Sequence, residues 1–151
     1  PEPETPIALQ EMDQFQGYRD DTLADLEAHI VVRSYAAGDV IYASGSPGDE
    51  LYWVRRGRVS LLADTAGGEP RQVAGFGRGD VFGGLSFLDG QPRPSSAVAA
   101  NDAELYVLTR AAFDDIRRVH TKLAFNLAAA MARTLAMRLR RTERSLAALK
   151  H

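Results

Sequence analysis

Residues 82–93 read FGGLSFLDGQPR, a stretch in which a glycine pair, a short apolar turn and one arginine follow closely on one another. Gly83 and Gly84 have no β-carbon, so the backbone at this point can approach an anion closely. The N–H groups of a helical turn that begins here point at such an anion with the positive end of their dipoles. Arg93 adds a planar fork of donors that matches two phosphate oxygens. The stretch predicts a phosphate-binding loop; the alternative is an ordinary loop with an exposed arginine.

Around this stretch, from Ile30 to Leu108, the chain consists of short runs rich in valine, isoleucine, tyrosine and phenylalanine, separated by glycine-containing turns. Short strands at such close spacing are typical of a small antiparallel barrel or jelly roll. An exposed hairpin turn is expected at 64–70, where two glycines and a proline fall together. The predicted strands are 30–35, 39–42, 51–55, 57–63, 71–76, 81–82, 96–100 and 104–108.

Helical patterns flank this β region on both sides. We expect short helices over 20–29 and 111–119, the second with Thr109 as its N-cap and with Phe113 and Ile116 facing the roll. A long helix is expected over 122–149, with a first apolar stripe that packs on the roll and a second with coiled-coil spacing. The first stripe is Leu123, Leu127 and Met131, and the second is Leu135, Leu139, Thr142, Leu146 and Leu149. The second stripe predicts a homodimer along the helix; the alternative is docking on its own domain or on another one.

Composition limits the classes of protein to which the chain can belong. It has 151 residues and no cysteine, which fits one domain with a real core and no disulfides. The net charge of −2 hides an acidic amino end and a basic last helix. A basic stripe of this kind is a candidate contact for nucleic acid or an anionic membrane, and the alternative is a solvated face paired with the acidic end. The basic residues are Arg133, Arg138, Arg140, Arg141, Arg144 and Lys150.

Residue patterns for catalysis and for metal binding are missing from the sequence. His29, His120 and His151 are isolated, and none has the spacing of a metal site or of a Ser-His-Asp triad. Ser86, Ser95 and Ser96 lie in no motif that marks a nucleophile. We therefore predict a binding module, not an enzyme, with no metal or cofactor beyond its ligand.

The order of motifs along the chain resembles the cyclic nucleotide-binding domain family, which provides the sensor of catabolite activator proteins, cyclic-nucleotide-dependent kinases and gated channels. The segments that carry the resemblance, besides 82–93, are 38–45, 51–61, 77–83, 97–99 and 104–108. It extends from about Leu23 to about Leu149. The resemblance implies a mainly β fold, a double-stranded β-helix or jelly roll with flanking helices and a long C-terminal helix.

The resemblance also implies a set of ligand contacts. It implies that the backbone N–H groups around Gly83, Gly84 and Ser86 and the guanidinium of Arg93 bind the phosphate. We expect Arg93 to be partly exposed. Arg138 and Leu139 fall where the family reaches from the long helix toward the purine. The expected ligand is cyclic AMP, cyclic GMP or a related small phosphate. The expected contacts are Phe82, Gly83, Gly84, Leu85, Ser86, Arg93, Pro94, Ser95, Arg138 and Leu139.

Two departures from the family pattern weaken the expected site. The family normally has a glutamate at the position of Gly84, where its carboxylate accepts a hydrogen bond from the ribose 2′-OH. Pro94 follows the arginine at a position where the family has a small residue with an N–H group, and proline has none to donate. Ser95 can restore one donor if the loop shifts by a residue. We therefore expect weak binding of ordinary cyclic nucleotides.

Three regions are expected: a linker or N-terminal extension at 1–19, the roll with short helices at 20–120, and a lid or dimerisation helix at 121–151. The start at Pro1 and the acidic, proline-spaced run up to Pro6 suggest a piece of a longer cytoplasmic polypeptide or a cytosolic tail of a membrane protein. The resemblance implies a regulatory domain that signals through its last helix to an attached transporter, channel or enzyme. The alternatives are an interaction module that no longer responds to ligand and a transcription regulator without its DNA-binding domain, since this piece has no room for one and is not expected to bind nucleic acid.

Overall fold

The computed structural model describes residues 4–149, and its centre is a roll of eight antiparallel strands. They form two four-stranded sheets with the orders β1-β8-β3-β6 and β2-β7-β4-β5. The predicted jelly roll is confirmed, and the hairpin expected at 64–70 joins β4 to β5. The strands are β1 (Val31–Tyr35), β2 (Val40–Tyr42), β3 (Glu50–Arg56), β4 (Val59–Ala63), β5 (Arg71–Phe76), β6 (Val81–Phe82), β7 (Ser96–Ala99) and β8 (Ala103–Thr109).

Four α-helices surround the roll, at bounds close to those predicted from the sequence. They are α1 (Asp20–Glu27), α2 (Gly84–Asp89), α3 (Arg110–Val119) and α4 (Thr121–Ala148). The Thr109 side chain accepts a hydrogen bond of 3.1 Å from the Ala112 N–H, so its predicted role as the N-cap of α3 is confirmed. His120 separates α3 from α4.

Side chains on β3 alternate between two cores, because successive residues of a strand point to opposite faces of its sheet. Tyr52 and Val54 face the interior of the roll, where they meet Phe82 and Phe76. Leu51 and Trp53 face the helices on the outer side of the same sheet. The first stripe of α4 is buried in this outer core, as predicted, with Ile116 of α3.

Over residues 4–19 the amino end packs on the roll as an extension, which is one of the two alternatives expected for 1–19. Residues 4–19 include two single-turn 3₁₀ helices, Leu9–Glu11 and Asp13–Phe15, that lie against the outer core. Trp53 donates a 3.1 Å hydrogen bond from Nε1 to the side-chain oxygen of Gln14. The segment stays packed against the roll because its apolar side chains cover the outer face of β3 and remove this face from water. The buried residues are Ile7, Leu9, Met12 and Phe15, and residues 1–3 lie outside the described part.

The distal half of α4 leaves its apolar side chains in solvent. Leu139, Leu146 and Leu149 are all exposed, whereas Met131, about two turns before Leu139, is buried. In one chain the distal leucines of the second stripe are therefore uncovered, whereas Leu135 is half-buried, and the homodimer along this stripe stays a prediction. Within residues 4–149, no helix is both long and apolar enough to cross a bilayer.

Candidate ligand-binding site

Arg93 contacts β2 through Tyr42, β3 through Glu50 and the residue before α2, Gly83. Its side chain is only 3% exposed, so the expectation of a partly exposed guanidinium was wrong. Nη1 donates a 2.7 Å hydrogen bond to the Gly83 carbonyl, and Nη2 donates one of 2.6 Å to the Glu50 carbonyl. Nε is buried and has no hydrogen-bond partner. The Nε–H donor thus has no acceptor in a place without water contact.

Aromatic rings and backbone carbonyls contact the guanidinium of Arg93, and the charge of the nearby Glu50 carboxylate also acts on it. Its guanidinium carbon lies 4.0 Å from the ring centroid of Tyr42 and 5.9 Å from that of Tyr52, which is cation–π geometry. Among the described residues, no carboxylate forms a salt bridge with it. The nearby Glu50 carboxylate is engaged elsewhere, by Arg33 at 2.9 Å and by the Tyr52 hydroxyl at 2.6 Å. The hydrogen bond from Arg33 holds the pKa of Glu50 below its usual range.

The two glycines fit the site for different reasons. Gly83 has a φ of +85°, a left-handed backbone that favours glycine, and a β-carbon there would lie 3.1 Å from both Arg93 Nη1 and the Tyr52 ring. Gly84 is the first residue of α2 and is buried. A β-carbon at Gly84 would meet Leu51 at 3.7 Å and Met131 at 3.8 Å, which are ordinary contacts. Position 84 therefore has space for the start of a side chain.

The other predicted residues of the loop divide into buried and exposed ones. Ser86 is buried, and its hydroxyl donates to the Pro92 carbonyl at 3.3 Å. Ser95 is also buried. Leu85 is 49% exposed and Pro94 is exposed, so the structure does not place these two side chains with Arg93. Gly83 bonds Arg93 directly, whereas the β-carbon position of Gly84 faces Leu51 and Met131 of the outer core.

Four aromatic residues fill the interior next to Arg93, and we call Tyr42, Tyr52, Phe76 and Phe82 the aromatic cluster. Phe82 stacks on Tyr52 at 4.9 Å and on Phe76 at 5.3 Å between ring centroids, and Tyr42 lies 6.3 Å from Phe82. Burial raises the pKa of Tyr42. Of these residues the sequence singled out only Phe82. The others lie in three different strands, and no local pattern shows that they meet.

Arg138 of α4 reaches the same cluster from the opposite side. Its guanidinium carbon lies 4.5 Å from the Phe76 ring centroid, and Nη2 donates a hydrogen bond to the Val81 carbonyl. Burial lowers the pKa of Arg138. Leu139 is 59% exposed, and its contact with the ligand stays a prediction. Arg138 thus connects the long helix directly to β6.

The assembled groups suit binding rather than covalent chemistry. A guanidinium with a spare donor binds an oxyanion, and aromatic faces accept a flat base or a second cation. In the described residues, no group of three His, Asp or Glu side chains is placed to hold a metal ion. The site therefore has the groups to bind an anion beside an aromatic surface.

Comparison with known proteins shows the family of the chain. The family model described as "Cyclic nucleotide-binding domain" matches residues 32–120. The cyclic AMP receptor protein of Thermus thermophilus is 41% identical over 103 residues, which are 68% of this chain and 48% of that protein. The CRP-like cAMP-activated global transcriptional regulator of Mycobacterium tuberculosis is 31% identical over 135 residues, 89% of this chain and 58% of that one. The chain thus spans about half the length of these relatives.

Solved structures agree with the sequence comparison. The crystal structure of Thermus thermophilus catabolite activator protein superposes with a TM-score of 0.75 and 35% identity, over 91% of this chain and 62% of that one. The two relatives are named as a receptor protein and as a transcriptional regulator. The matched segment, 32–120, covers more than half of the chain and contains the whole loop around Arg93. The chain belongs to the cyclic nucleotide-binding domain family.

Proposed function

We propose that this domain senses a nucleotide by binding its phosphate at residues 82–95. The observation that carries the proposal is Arg93, a buried guanidinium with no carboxylate partner among the described residues and with Nε unbonded. A buried hydrogen-bond donor without an acceptor costs about 1–3 kcal/mol. A phosphate oxygen would remove that cost and would also neutralise the buried charge.

Cyclic AMP or cyclic GMP is the proposed ligand, and α4 is the proposed output. Arg138 couples the two, because one side chain of α4 packs on the cluster that a bound base would contact. A ligand that moves Arg138 shifts α4 between two positions only if its affinity for the protein differs between those two positions of the helix. Binding is expected to be weak, because Gly84 has no carboxylate to accept a hydrogen bond from the ribose 2′-OH. The loss of that hydrogen bond costs about 1.5–3 kcal/mol, roughly ten- to a hundredfold in affinity.

Calorimetric titration with cyclic AMP and cyclic GMP tests the proposal. We expect Arg93→Ala to abolish measurable binding, because water cannot replace a bidentate phosphate contact. Arg110→Ala is the matched control: Arg110 also stacks on a ring, that of Phe87 at 4.0 Å, and also donates to a backbone carbonyl, that of Phe87. Thermal melting of both variants shows whether each still folds.

Two outcomes of this titration would contradict the proposal. The first is equal affinity of the wild type and a folded Arg93→Ala, because the phosphate would then bind elsewhere. The second is no heat with either nucleotide at millimolar concentration. A folded Arg93→Lys variant provides the independent check, because it keeps the positive charge but loses the fork and should bind weakly.

A second candidate function is an interaction module that does not respond to ligand. It is favoured by the way the chain fills its own site: the aromatic cluster occupies the mouth of the roll, and both Arg93 and Arg138 are bonded to backbone carbonyls. In that case α4 assembles the parent protein whether or not nucleotide is present. An oligomeric state that is unchanged by saturating nucleotide would support this candidate.

The attached effector remains a proposal. The chain spans 48% and 58% of the length of its two relatives. We propose a transporter, channel or enzyme regulated through α4. A DNA-binding domain is the alternative, favoured by the relative named as a transcriptional regulator. The sequence of the parent polypeptide would decide between them.

A further inference from the structure

Glu50 contacts Arg93 through its main chain and a second arginine through its side chain. Its carbonyl accepts a 2.6 Å hydrogen bond from Arg93 Nη2. Its carboxylate accepts two hydrogen bonds of 2.9 Å from Arg33 of β1, one at each oxygen. The charges of the Glu50 carboxylate and of Arg93 act on each other, although the salt bridge of this carboxylate is with Arg33. One residue thus places a carboxylate beside the proposed anion-binding group.

The Glu50 carboxylate and the Arg93 guanidinium lie on the same face of β3. Successive residues of a strand alternate between its two faces, so Glu50 and Tyr52 point the same way. Tyr52 faces the interior of the roll, and its hydroxyl donates a 2.6 Å hydrogen bond to the Glu50 carboxylate. The guanidinium carbon of Arg93 lies 5.9 Å from the centroid of the same Tyr52 ring. Both charged groups therefore contact one tyrosine, and the sheet does not separate them.

Arg93 is a suitable partner for this carboxylate. Its Nε is buried and has no hydrogen-bond acceptor. Opposite charges attract strongly where water is excluded, because the protein interior screens charge poorly. A salt bridge between Glu50 and Arg93 would neutralise the guanidinium and occupy donors that the proposed function assigns to a phosphate. The site therefore binds an external anion only while the Glu50 carboxylate is paired with another group.

Arg33 is that other group. Strand β8 lies between β1 and β3, so the Arg33 side chain reaches over β8 to Glu50. Its guanidinium engages both carboxylate oxygens, which is the fork geometry in which arginine binds a carboxylate most strongly. The Tyr35 hydroxyl accepts a further hydrogen bond from Arg33, at 3.2 Å. Arg33 thus holds the carboxylate in one orientation and leaves Arg93 without a salt bridge.

We propose that Arg33 keeps the anion site open by holding the Glu50 carboxylate away from Arg93. This inference rests on the proposed function, since it takes Arg93 as the group that binds the phosphate. Arg33 is a positioning residue, because it acts on the ligand through Glu50 and lies outside the loop of residues 82–95. Without Arg33, the Glu50 carboxylate pairs with Arg93 and takes the place of the phosphate. The chain then inhibits its own site.

Calorimetric titration with cyclic AMP and cyclic GMP tests this role in two variants. We expect Arg33→Gln to bind at least about tenfold more weakly than the wild type, because the phosphate must then displace a charge-assisted hydrogen bond. Arg33→Gln combined with Glu50→Gln should bind within about threefold of the wild type, because no carboxylate remains to compete. Arg56→Gln is the matched control and should bind like the wild type, since Arg56 also pairs with a carboxylate on another strand, that of Glu104, at 2.8 Å.

Thermal melting shows whether each variant folds. If Arg33→Gln does not fold, Arg33→Lys replaces it in both variants. A lysine keeps the charge but cannot engage both carboxylate oxygens as a fork. We then expect a smaller loss of affinity, which Glu50→Gln again restores.

The combined variant separates this role from a merely structural one. Damage to β1 would persist when Glu50 is also changed, whereas a competing carboxylate is removed by that change. A combined variant that binds as weakly as the Arg33 variant would therefore overturn the inference, and so would a folded Arg33 variant that binds like the wild type. Either result, with binding still lost in Arg93→Ala, leaves the proposed function standing. No heat with either nucleotide, for the wild type and for the combined variant, would overturn both.

Discussion

Burying a guanidinium without a salt bridge costs free energy, because the charge loses its hydration and the protein interior screens it poorly. At Arg93 this cost is reduced by two backbone carbonyls and the face of Tyr42. The loop sequence predicted that this arginine is the anion-binding group. It did not predict the burial, because Tyr42 and Glu50 lie more than 40 residues earlier in the chain and no local pattern brings them to Arg93.

Gly84 is the residue at which the chemistry of the site is easiest to change. A β-carbon fits there at ordinary contact distances, so we expect Gly84→Glu to fold and to bind cyclic AMP or cyclic GMP roughly tenfold more tightly or better, through a new bond to the ribose 2′-OH. Gly84→Ala is the control, since it adds the β-carbon and the helix propensity without the carboxylate. Calorimetric titration measures both. Equal affinities of Gly84→Glu and Gly84→Ala would mean that the ribose does not lie at position 84.

At the scale of elements, the strands and helices were predictable because their signals are local. Runs of β-branched and aromatic residues ended by glycine turns marked the eight strands, and the bounds of β5 and β6 match the prediction. The amino-terminal segment was not predictable. Its four buried apolar residues are irregularly spaced, and they are buried only because the outer face of β3 is there to receive them.

The distal part of α4 is the element whose contacts are incomplete in one chain. Leu139 and Leu146 are exposed on a helix with coiled-coil spacing, so we propose a parallel or crossed homodimer along this seam. Sedimentation velocity at micromolar concentration should show a dimer for the wild type and a monomer for Leu139→Glu combined with Leu146→Glu. Met137→Glu is the control, because Met137 is equally exposed on α4 but lines the open cleft between α4 and the amino-terminal segment.

The arginines along the seam should keep this dimer weak. Arg140, Arg141 and Arg144 lie beside it, and like charges across a dimer repel unless Glu143 or an acid of the other copy pairs with them. We therefore expect added salt to strengthen the dimer. A monomeric wild type, or a double variant that dimerises like the wild type, would show that the seam contacts another domain or none.

For the whole molecule, the Glu50 network connects β1, β3 and the site. Arg33 of β1 donates to the Glu50 carboxylate of β3, and the Glu50 carbonyl accepts from Arg93. The global shape followed from the sequence, since a jelly roll with a long last helix was predicted and is confirmed. The Glu50 network did not follow from the sequence, because it depends on the register between strands, which the sequence does not specify.

Acid should destabilise the fold through Glu50. The hydrogen bond from Arg33 lowers its pKa in the folded state, so its contribution to the free energy of unfolding is present above the unfolded pKa of about 4.3. It is lost as the pH falls through the lower folded value. Urea unfolding of Glu50→Gln should show a lower stability than the wild type at pH 7 and a smaller further loss on acidification. The exposed Glu69→Gln, in the turn between β4 and β5, is the control, and a wild-type acid response in Glu50→Gln would contradict the prediction.

The central claim is that the unbonded Nε of Arg93 receives a phosphate oxygen, and the ¹H–¹⁵N spectrum of the arginine Nε groups tests it most directly. The Arg93 resonance is assigned by its loss in Arg93→Lys. Upon addition of cyclic AMP to the wild type, we predict a downfield shift of the Arg93 Nε proton as it forms its first hydrogen bond, with the Arg110 resonance unchanged. An Arg93 resonance that stays in place at saturating cyclic AMP would contradict the account.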